Sequence, residues 1–460
     1  MKLNSSLLLA SSQILTAVLG VLTLPLLTFF LEPSGVGRFS LIQSIIAIST
    51  MTFALGFEQA FFKFYKDSSS IISFSLPILI SSIISSSLLV IVLFFFGNGL
   101  GFDSIASIFT IALVCLMFSY NRIFNLHFRL KLKSLLFFIM SVSQKIILLI
   151  SASFIYTNDY LSYADPIIIF LISGFFCFLL ALILDSENIV FFKFKLFYID
   201  FQEIKKHLAF GFPLFISALL FWLLFTVDKL MIAKLVDMES LGFYSVIMAF
   251  SASGLLLQSI FNTVYLRKLY CLKKDDLKLF VKKVFCCYLD IVVLFYFIFI
   301  VIAYFAFLAM PEEYSIYTHF IPLSVLYSLI YALSDFASVS FSIYNRTHIG
   351  MIIMSLQVIF IVAMFSYFLP LYGLQSAFFI LSFSFLLSHI ARVIFASRFE
   401  GFESQKASIF YVLILCIHSV SVILISNPVY YLTSSLVSFS IYCWYSVSRR
   451  QLIKNIKESL

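Results

Sequence analysis

Six ionisable side chains interrupt long apolar stretches of this 460-residue chain. They are Glu58, Lys145, Asp228, Lys229, Asp290 and Asp335. A charged side chain at the centre of a bilayer costs at least about 2.5–3.5 kcal/mol, so such a residue usually faces a partner or an aqueous cavity. If the apolar stretches cross a membrane, these six residues are therefore candidates for functional roles.

Lys145 is the candidate for binding an anion. It lies near the centre of its apolar stretch, in SVSQKIILLISAS. A point charge on a flexible stem suits a mobile phosphate, so we expect Lys145 to help hold an anionic group in a cavity. The alternative is structural: Lys145 pairs with one of the carboxylates to lock helices together, or extends its ammonium to the membrane surface.

Three of the carboxylates, on Glu58, Asp290 and Asp335, are candidates for coupling a conformational change to protons or sodium ions. A desolvated carboxylate holds a proton more readily than one in water, so its charge can change with its environment. Asp228 and Lys229 are adjacent, and adjacent residues of a helix point about 100° apart, so these two need not pair with each other.

Three apolar stretches carry residues spaced three or four apart, which places them on one helical face. The longest such stripe consists of Ser324, Ser328, Tyr331, Asp335, Ser338, Ser342 and Asn345. The others are Gln43, Ala47, Thr50, Ala54 and Glu58, and Ser251, Leu255, Gln258 and Asn262. We expect their hydroxyls and amides to line a wet cavity. The alternative is that the small residues let helices pack closely.

Composition places the stretches in a membrane. The chain is 62% hydrophobic and 11% charged, against about 25% charged in soluble domains. A helix needs roughly 20 apolar residues to cross about 30 Å of hydrocarbon. Polar breaks divide the chain into fourteen such segments: 7–30, 39–62, 71–96, 104–122, 134–156, 166–184, 208–232, 241–266, 284–308, 318–344, 349–369, 371–395, 407–425 and 428–447. The prediction is an all-α polytopic membrane protein with about 14 transmembrane helices.

Basic residues predict the orientation, because Lys and Arg accumulate on the cytoplasmic side. With both termini in the cytoplasm, all but four of the 30 Lys and Arg residues lie on that side. Eight acids then lie outside: Glu32, Asp103, Asp159, Asp165, Asp237, Glu239, Glu312 and Glu313. The net charge of +8 therefore reflects topology, and no nucleic-acid partner is expected. Cys and His residues are scattered without metal-ligand spacing, so we expect neither a metal site nor a cofactor.

A short polar hinge occurs twice. LEPSGVGRFSLI at 31–42 and LVDMESLGFYSVI at 235–247 align with an offset of 205 residues, which pairs Gly37 with Gly242. Six segments separate the copies, so both have the same orientation, as in transporters built from two parallel halves. We therefore predict two parallel six-helix bundles around a central cavity that opens to each side in turn. The bundles are 1–184 and 208–395, with a cytoplasmic linker at 185–207 and two additional helices and a tail at 396–460.

These hinges, together with LGFEQAFFKFY in the second segment and AFGFPLFISALLFWLLFTVDKLMI in the seventh, resemble the Wzx-type polysaccharide flippases. Those O-antigen and capsule translocases belong to the multidrug/oligosaccharidyl-lipid/polysaccharide exporter superfamily. The resemblance implies that the cargo is an oligosaccharide repeat unit on undecaprenyl pyrophosphate, moved from the inner to the outer leaflet of the bacterial inner membrane. It also implies a role in gating or bundle contact for Asp228 and Lys229, whereas membrane-surface anchoring alone would explain Lys229.

The same resemblance implies membrane lipids, a polysaccharide polymerase and a chain-length regulator as further partners. It also implies that the last two helices form a groove for the lipid tail. One alternative is a multidrug or small-molecule exporter of the same superfamily. Another is a membrane polysaccharide polymerase, but the predicted outer loops are short and carry no acidic DxD pair, so we do not expect an enzyme.

Overall fold

The computed structural model of the protein describes residues 2–53, 70–97, 102, 104–130, 133–157, 165–184, 201–261, 265, 269, 274–344, 346–425 and 427–448. Within these ranges the chain is all helical, with fifteen α-helices. Nine described helices are long and apolar enough to cross a membrane. The predicted all-α polytopic membrane fold is confirmed.

The helices follow the predicted segments closely. They are α1 (Lys2–Leu27), α2 (Pro33–Phe53), α3 (Ser70–Phe96), α4 (Ile105–Leu130), α5 (Ser134–Tyr156), α6 (Pro166–Leu184), α7 (Phe201–Leu224), α8 (Val227–Leu235), α9 (Met238–Phe261), α10 (Lys274–Leu308), α11 (Ile321–Ile343), α12 (Thr347–Tyr372), α13 (Leu374–Ala396), α14 (Lys406–Ile425) and α15 (Pro428–Ser448). A 3₁₀ helix, Glu312–Phe320, precedes α11.

Several predicted boundaries were wrong. α2, α7 and α10 begin at Pro33, Phe201 and Lys274, before the predicted 39, 208 and 284. The segment 208–232 is not one helix, because the amides of Phe225 and Thr226 bond three residues back instead of four, and α8 starts anew at Val227. Pro370 does not end α12, since a proline in the last turn of a helix removes only one hydrogen bond. The helix ends two residues later, before Gly373, whose φ of +63° favours glycine.

The chain divides into two compact units, Met1–Gly242 and Phe243–Leu460. The sequence-based domain boundaries stay predictions. α7 begins at Phe201, inside the predicted linker, and residues 185–200 lie outside the described part.

In the first unit, α4, α5 and α6 pack against one another, and α1 packs against α5. A buried apolar cluster of Phe124, Phe128, Met140 and Ala181 joins the three central helices. The side-chain amide of Asn121 donates to Gly174 O on α6 at 3.3 Å. At the start of α6, Asp165 caps the helix by accepting from the Ile167 amide at 3.0 Å.

In the second unit, α11 is the central helix, with nearly every side chain from Ile321 to Phe341 buried. It packs against α10, α12, α13 and α14. α15 packs on α10, where Tyr431 donates to Ile300 O at 2.9 Å. Tyr296 of α10 also hydrogen-bonds Ser419 of α14, with 2.7 Å between the oxygens. The last two helices are therefore fastened to the unit by tyrosine hydroxyls as well as by apolar packing.

The two copies of the hinge meet each other. A Cβ placed on Gly37 would stand 2.0 Å from Met238 O, and one on Gly242 would stand 1.8 Å from Pro33 O. The sequence offset that pairs Gly37 with Gly242 also pairs Pro33 with Met238. Each glycine thus faces the equivalent carbonyl of the other copy, as in a two-fold symmetric contact. Only residues without a side chain permit this approach of α2 to α9.

Candidate functional site

Polar side chains converge on Asp335 in the interior of the second unit. Asp335 lies half-buried on α11, and its Oδ2 accepts from Gln258 Nε2 of α9 at 2.8 Å. Gln258 also contacts the hydroxyl of Tyr331, one turn before Asp335. The structure therefore brings together two site residues that were predicted separately, one from each of two polar stripes.

A buried guanidinium on α13 lies within electrostatic range of the same carboxylate. Arg392 is 2% exposed, and its charge interacts with that of Asp335. Its Nη1 donates to Ser338 Oγ at 3.3 Å, and its Cζ lies 6.0 Å from the centroid of the Tyr331 ring. Nε and Nη2 have no hydrogen-bond partner among the described residues. Since an unsatisfied buried donor costs about 1–3 kcal/mol, these two nitrogens need an explanation.

Tyrosine and phenylalanine rings surround the charges. The hydroxyl of Tyr288, on α10, lies within electrostatic range of Asp335 and is buried without a hydrogen-bond partner in the described part of the chain. Its ring packs against Phe261 and Phe336, with centroids 4.6 and 5.9 Å away. On the other side, Tyr331 packs edge-on against Phe385 of α13 at 5.9 Å. The resulting surface combines aromatic faces with hydrogen-bonding groups.

His389 ties the surrounding helices together. Fully buried on α13, it hydrogen-bonds Ser334 of α11 at 3.1 Å through Nδ1 and Ser408 of α14 at 2.9 Å through Nε2. Both ring nitrogens are used, so the imidazole acts as a rigid link between three helices. It holds α13, and with it Arg392, in place beside α11.

The first half of the long stripe, from Ser324 to Ser328, packs against α9. Ser324 and Ser328 are fully buried and donate to the carbonyls of Ile321 and Val325, each at 2.8 Å. At Ser328 the helices approach so closely that a Cβ on Gly254 would stand 2.3 Å from its Oγ. In this conformation both serines therefore lie in a helix-packing seam, and a role in binding stays a prediction.

Lys145 and Gln43 both belong to the first unit. Lys145 lies half-buried on α5, and no carboxylate partner is found for it among the described residues of that unit. Gln43 lies half-buried on α2, one turn before the half-exposed Ala47. Both side chains are partly exposed, and their roles in binding stay predictions.

Asp228 and Lys229 lie at the start of α8. Asp228 is buried, and its Oδ1 accepts from the amide of Lys229 at 2.8 Å. An acid in the first turn of a helix is stabilised by the helix dipole, which accounts for part of the cost of burying this carboxylate. Lys229 is half-buried, and its role stays a prediction.

Asp290 fastens α15 to α10 through a short hydrogen bond from the hydroxyl of Tyr442. This contact gives the carboxylate a structural partner in the second unit. Glu58 and Asn262 lie outside the described residues.

The sequence-based search missed two members of the cluster around Asp335. Arg392 falls near the end of its apolar segment and was counted among the cytoplasmic cations, although Ser384, Ser388 and Arg392 recur every four residues and point to a polar face. Tyr288 gave no signal, because the sequence holds 24 tyrosines with nothing to distinguish them.

A match to a known family model assigns this chain to a family. The model of the family described as "Polysaccharide biosynthesis protein" matches residues 3–251, more than half of the chain. The chain belongs to this family. A comparison with curated proteins found no match.

Solved structures share the fold of this family member. "Lipid II flippase MurJ, inward closed conformation" is 18% identical, with 97% of this chain and 100% of that chain covered, at a TM-score of 0.66. An inward-facing multidrug resistance MATE transporter of the MOP superfamily is 14% identical, with coverage of 88% and 95% and a TM-score of 0.56. An outward-facing form is also 14% identical, with coverage of 89% and 96% and a TM-score of 0.53. These likenesses show the fold, and the family assignment rests on the match over residues 3–251.

Proposed function

We propose that this polysaccharide biosynthesis protein flips undecaprenyl-pyrophosphate-linked oligosaccharide repeat units from the inner to the outer leaflet of the bacterial inner membrane, for O-antigen or capsule synthesis. The family match over residues 3–251 carries the proposal, because it ties the chain to polysaccharide assembly. The fold alone is shared by a lipid II flippase and by drug transporters.

The residues take the following proposed roles. Lys145 binds the pyrophosphate or an acidic sugar, which is supported by its partial exposure and by the lack of a carboxylate partner among the described residues of its unit. Gln43, Gln258 and Asp335 hydrogen-bond the glycan. Glu58, Asp228 and Lys229 act in coupling or gating. Both termini are cytoplasmic, and a polymerase and a chain-length regulator receive the product.

The second candidate is export of a small organic molecule. The likeness to MATE transporters in inward- and outward-facing forms favours it, since coverage is 88% and 89% of this chain. Such an exporter would move a soluble cation and would have no use for a cationic Lys145 on its transport path.

Flipping in proteoliposomes tests the proposal. The purified full chain is reconstituted, and the accessibility of a fluorescent undecaprenyl-pyrophosphate oligosaccharide to an external quencher is followed over time. We expect protein-dependent flipping that falls at least about tenfold in Lys145→Ala, because an ionic contact to phosphate is lost. Lys282→Ala, at an exposed position of α10, is the matched control and should flip normally.

One result would count against the flippase itself, and another would count only against the role of Lys145. Absence of flipping together with transport of an organic cation such as ethidium would support the exporter. Normal flipping by Lys145→Ala would leave the flippase in place but remove the anion site.

A further inference from the structure

We propose that the side chains around Asp335 form a subsite for an uncharged, hydroxyl-rich sugar residue of the cargo. This Asp335 cluster consists of Gln258, Tyr288, Tyr331, Asp335 and Arg392, supplied by α9, α10, α11 and α13. The inference rests on the proposed function, since it assigns the cargo's glycan to this place in the second unit.

Charge balance selects an uncharged ligand. The cluster holds one carboxylate and one guanidinium, and their charges interact. Arg392 stays protonated in any protein environment, and its positive charge offsets that of Asp335. A phosphate would be repelled by Asp335 and a metal or organic cation by Arg392, whereas a neutral sugar meets no net charge. The pyrophosphate therefore needs a contact outside this cluster.

Unused hydrogen-bonding groups select a ligand rich in hydroxyls. Within the described part of the chain, the Nε and Nη2 of Arg392 and the hydroxyl of Tyr288 are buried without partners. The hydroxyl of Ser388, one turn before Arg392, is buried in the same way. A sugar hydroxyl both donates and accepts, so vicinal hydroxyls can accept from the guanidinium and donate to a carboxylate. A purely structural ion pair would place these nitrogens on Asp335, yet neither Nε nor Nη2 bonds it.

Three aromatic rings lie beside the polar groups of the cluster, and two of those polar groups are partly exposed. Phe261, Tyr288 and Phe336 form a continuous aromatic group, with centroid separations of 4.6, 4.8 and 5.9 Å. The three rings are buried and pack on one another, so they form a rigid apolar wall beside the polar groups. Gln258 and Asp335 are partly exposed, whereas Arg392 is buried, so the amide and the carboxylate are the members of the cluster that a ligand can reach first.

Binding of matched carrier lipids to the purified full chain tests the subsite. The probes are undecaprenyl pyrophosphate alone and the same carrier bearing glucose, galactose, N-acetylglucosamine or glucuronic acid, measured by native mass spectrometry. We expect at least one neutral-sugar probe to bind about tenfold or more tightly than the bare carrier, because buried polar groups discriminate strongly for their hydroxyl partners. Arg392→Gln, Asp335→Asn and Tyr288→Phe should each lose most of this preference and keep the affinity for the bare carrier.

Control variants separate the subsite from folding. Arg398→Gln is a matched exchange at an exposed position, and Tyr296→Phe changes a tyrosine of α10 outside the cluster. Both should keep the sugar preference. If a variant loses affinity for the bare carrier as well, Arg392→Lys replaces it, and it should lose the preference because a lysine has no guanidinium fork.

The outcomes distinguish the two proposals. Equal binding of the bare carrier and all four glycosylated probes by the wild type would overturn the subsite while leaving the flippase proposal intact. A preference for glucuronic acid over every neutral sugar would also overturn it. Binding of none of the carriers would overturn the proposed function itself.

Discussion

Gly37 and Gly242 face each other across a symmetric contact between α2 and α9, in which each glycine lies against the carbonyl of the residue four positions before the other. The two copies of the hinge in the sequence therefore contact each other. The contact is symmetric because the residues on both sides of it are related by the same sequence offset of 205. This symmetry makes the two glycines interchangeable in their expected effect.

Alanine at either glycine should impair flipping to the same degree. The added Cβ would stand 2.0 Å from Met238 O in Gly37→Ala and 1.8 Å from Pro33 O in Gly242→Ala, so the helices must separate. We expect each variant to lower the proteoliposome flipping rate several-fold. The double variant should be little worse than either single one, because residues in contact are not additive. Gly20→Ala, at a position with open space around the new Cβ, is the control.

Removing the hydroxyl of Tyr288 should stabilise the protein. A buried hydroxyl without a partner costs about 1–3 kcal/mol, and Tyr288→Phe removes that cost while the ring keeps its contacts. Thermal unfolding in detergent should therefore show a higher Tm. Tyr296→Phe provides the contrast on the same helix: its hydroxyl bonds Ser419, so the Tm should fall. A lower Tm for Tyr288→Phe would show that its hydroxyl has a stabilising partner.

Asp290 should act in stability and not in coupling. Tyr442→Phe and Asp290→Ala both break the bond that fastens α15 to α10, and a hydrogen bond to a charged group contributes about 1.5–3 kcal/mol. We expect both variants to lower the Tm by similar amounts, with a double variant that is clearly less than additive. Asp290→Asn keeps an acceptor for Tyr442 and should flip at the wild-type rate. If Asp290→Asn folds normally but does not flip, Asp290 is a coupling residue.

Asp165 should contribute more to stability than its ion-pair partner. Arg38 Nη2 lies 2.5 Å from Asp165 Oδ2, and both side chains are about one-third exposed, so the pair contributes about 0–1 kcal/mol. Asp165 also caps α6, which adds about 1 kcal/mol. Asp165→Ala should therefore lower the Tm more than Arg38→Ala, and only the ion-pair part of the loss should shrink in high salt. Equal losses would show that the cap adds nothing.

Sequence alone predicted most of the fold, because a helix that crosses a membrane must be long and apolar and its ends are marked by polar breaks. It failed at Phe225 and Thr226, where no proline or glycine marks the break between α7 and α8. It placed Gln258 and Asp335 on polar faces without showing that these faces meet. Arg392 was missed because basic residues near the end of an apolar segment are normally assigned to the membrane surface. The unsatisfied hydroxyl of Tyr288 was missed because it depends on side-chain packing, which the composition of the chain does not reveal.

The opposed charges of Asp335 and Arg392 have an electrical consequence. Membrane voltage does about 2.3 kcal/mol of work per elementary charge moved through 100 mV, and it acts on net charge. A carboxylate and a guanidinium that move together carry no net charge. Their movement during a rearrangement of the second unit therefore takes no energy from the membrane voltage. If the chain flips the proposed carrier lipid, any voltage dependence of the flipping rate has to come from charges outside this cluster, such as those of Lys145 and of the cargo's pyrophosphate.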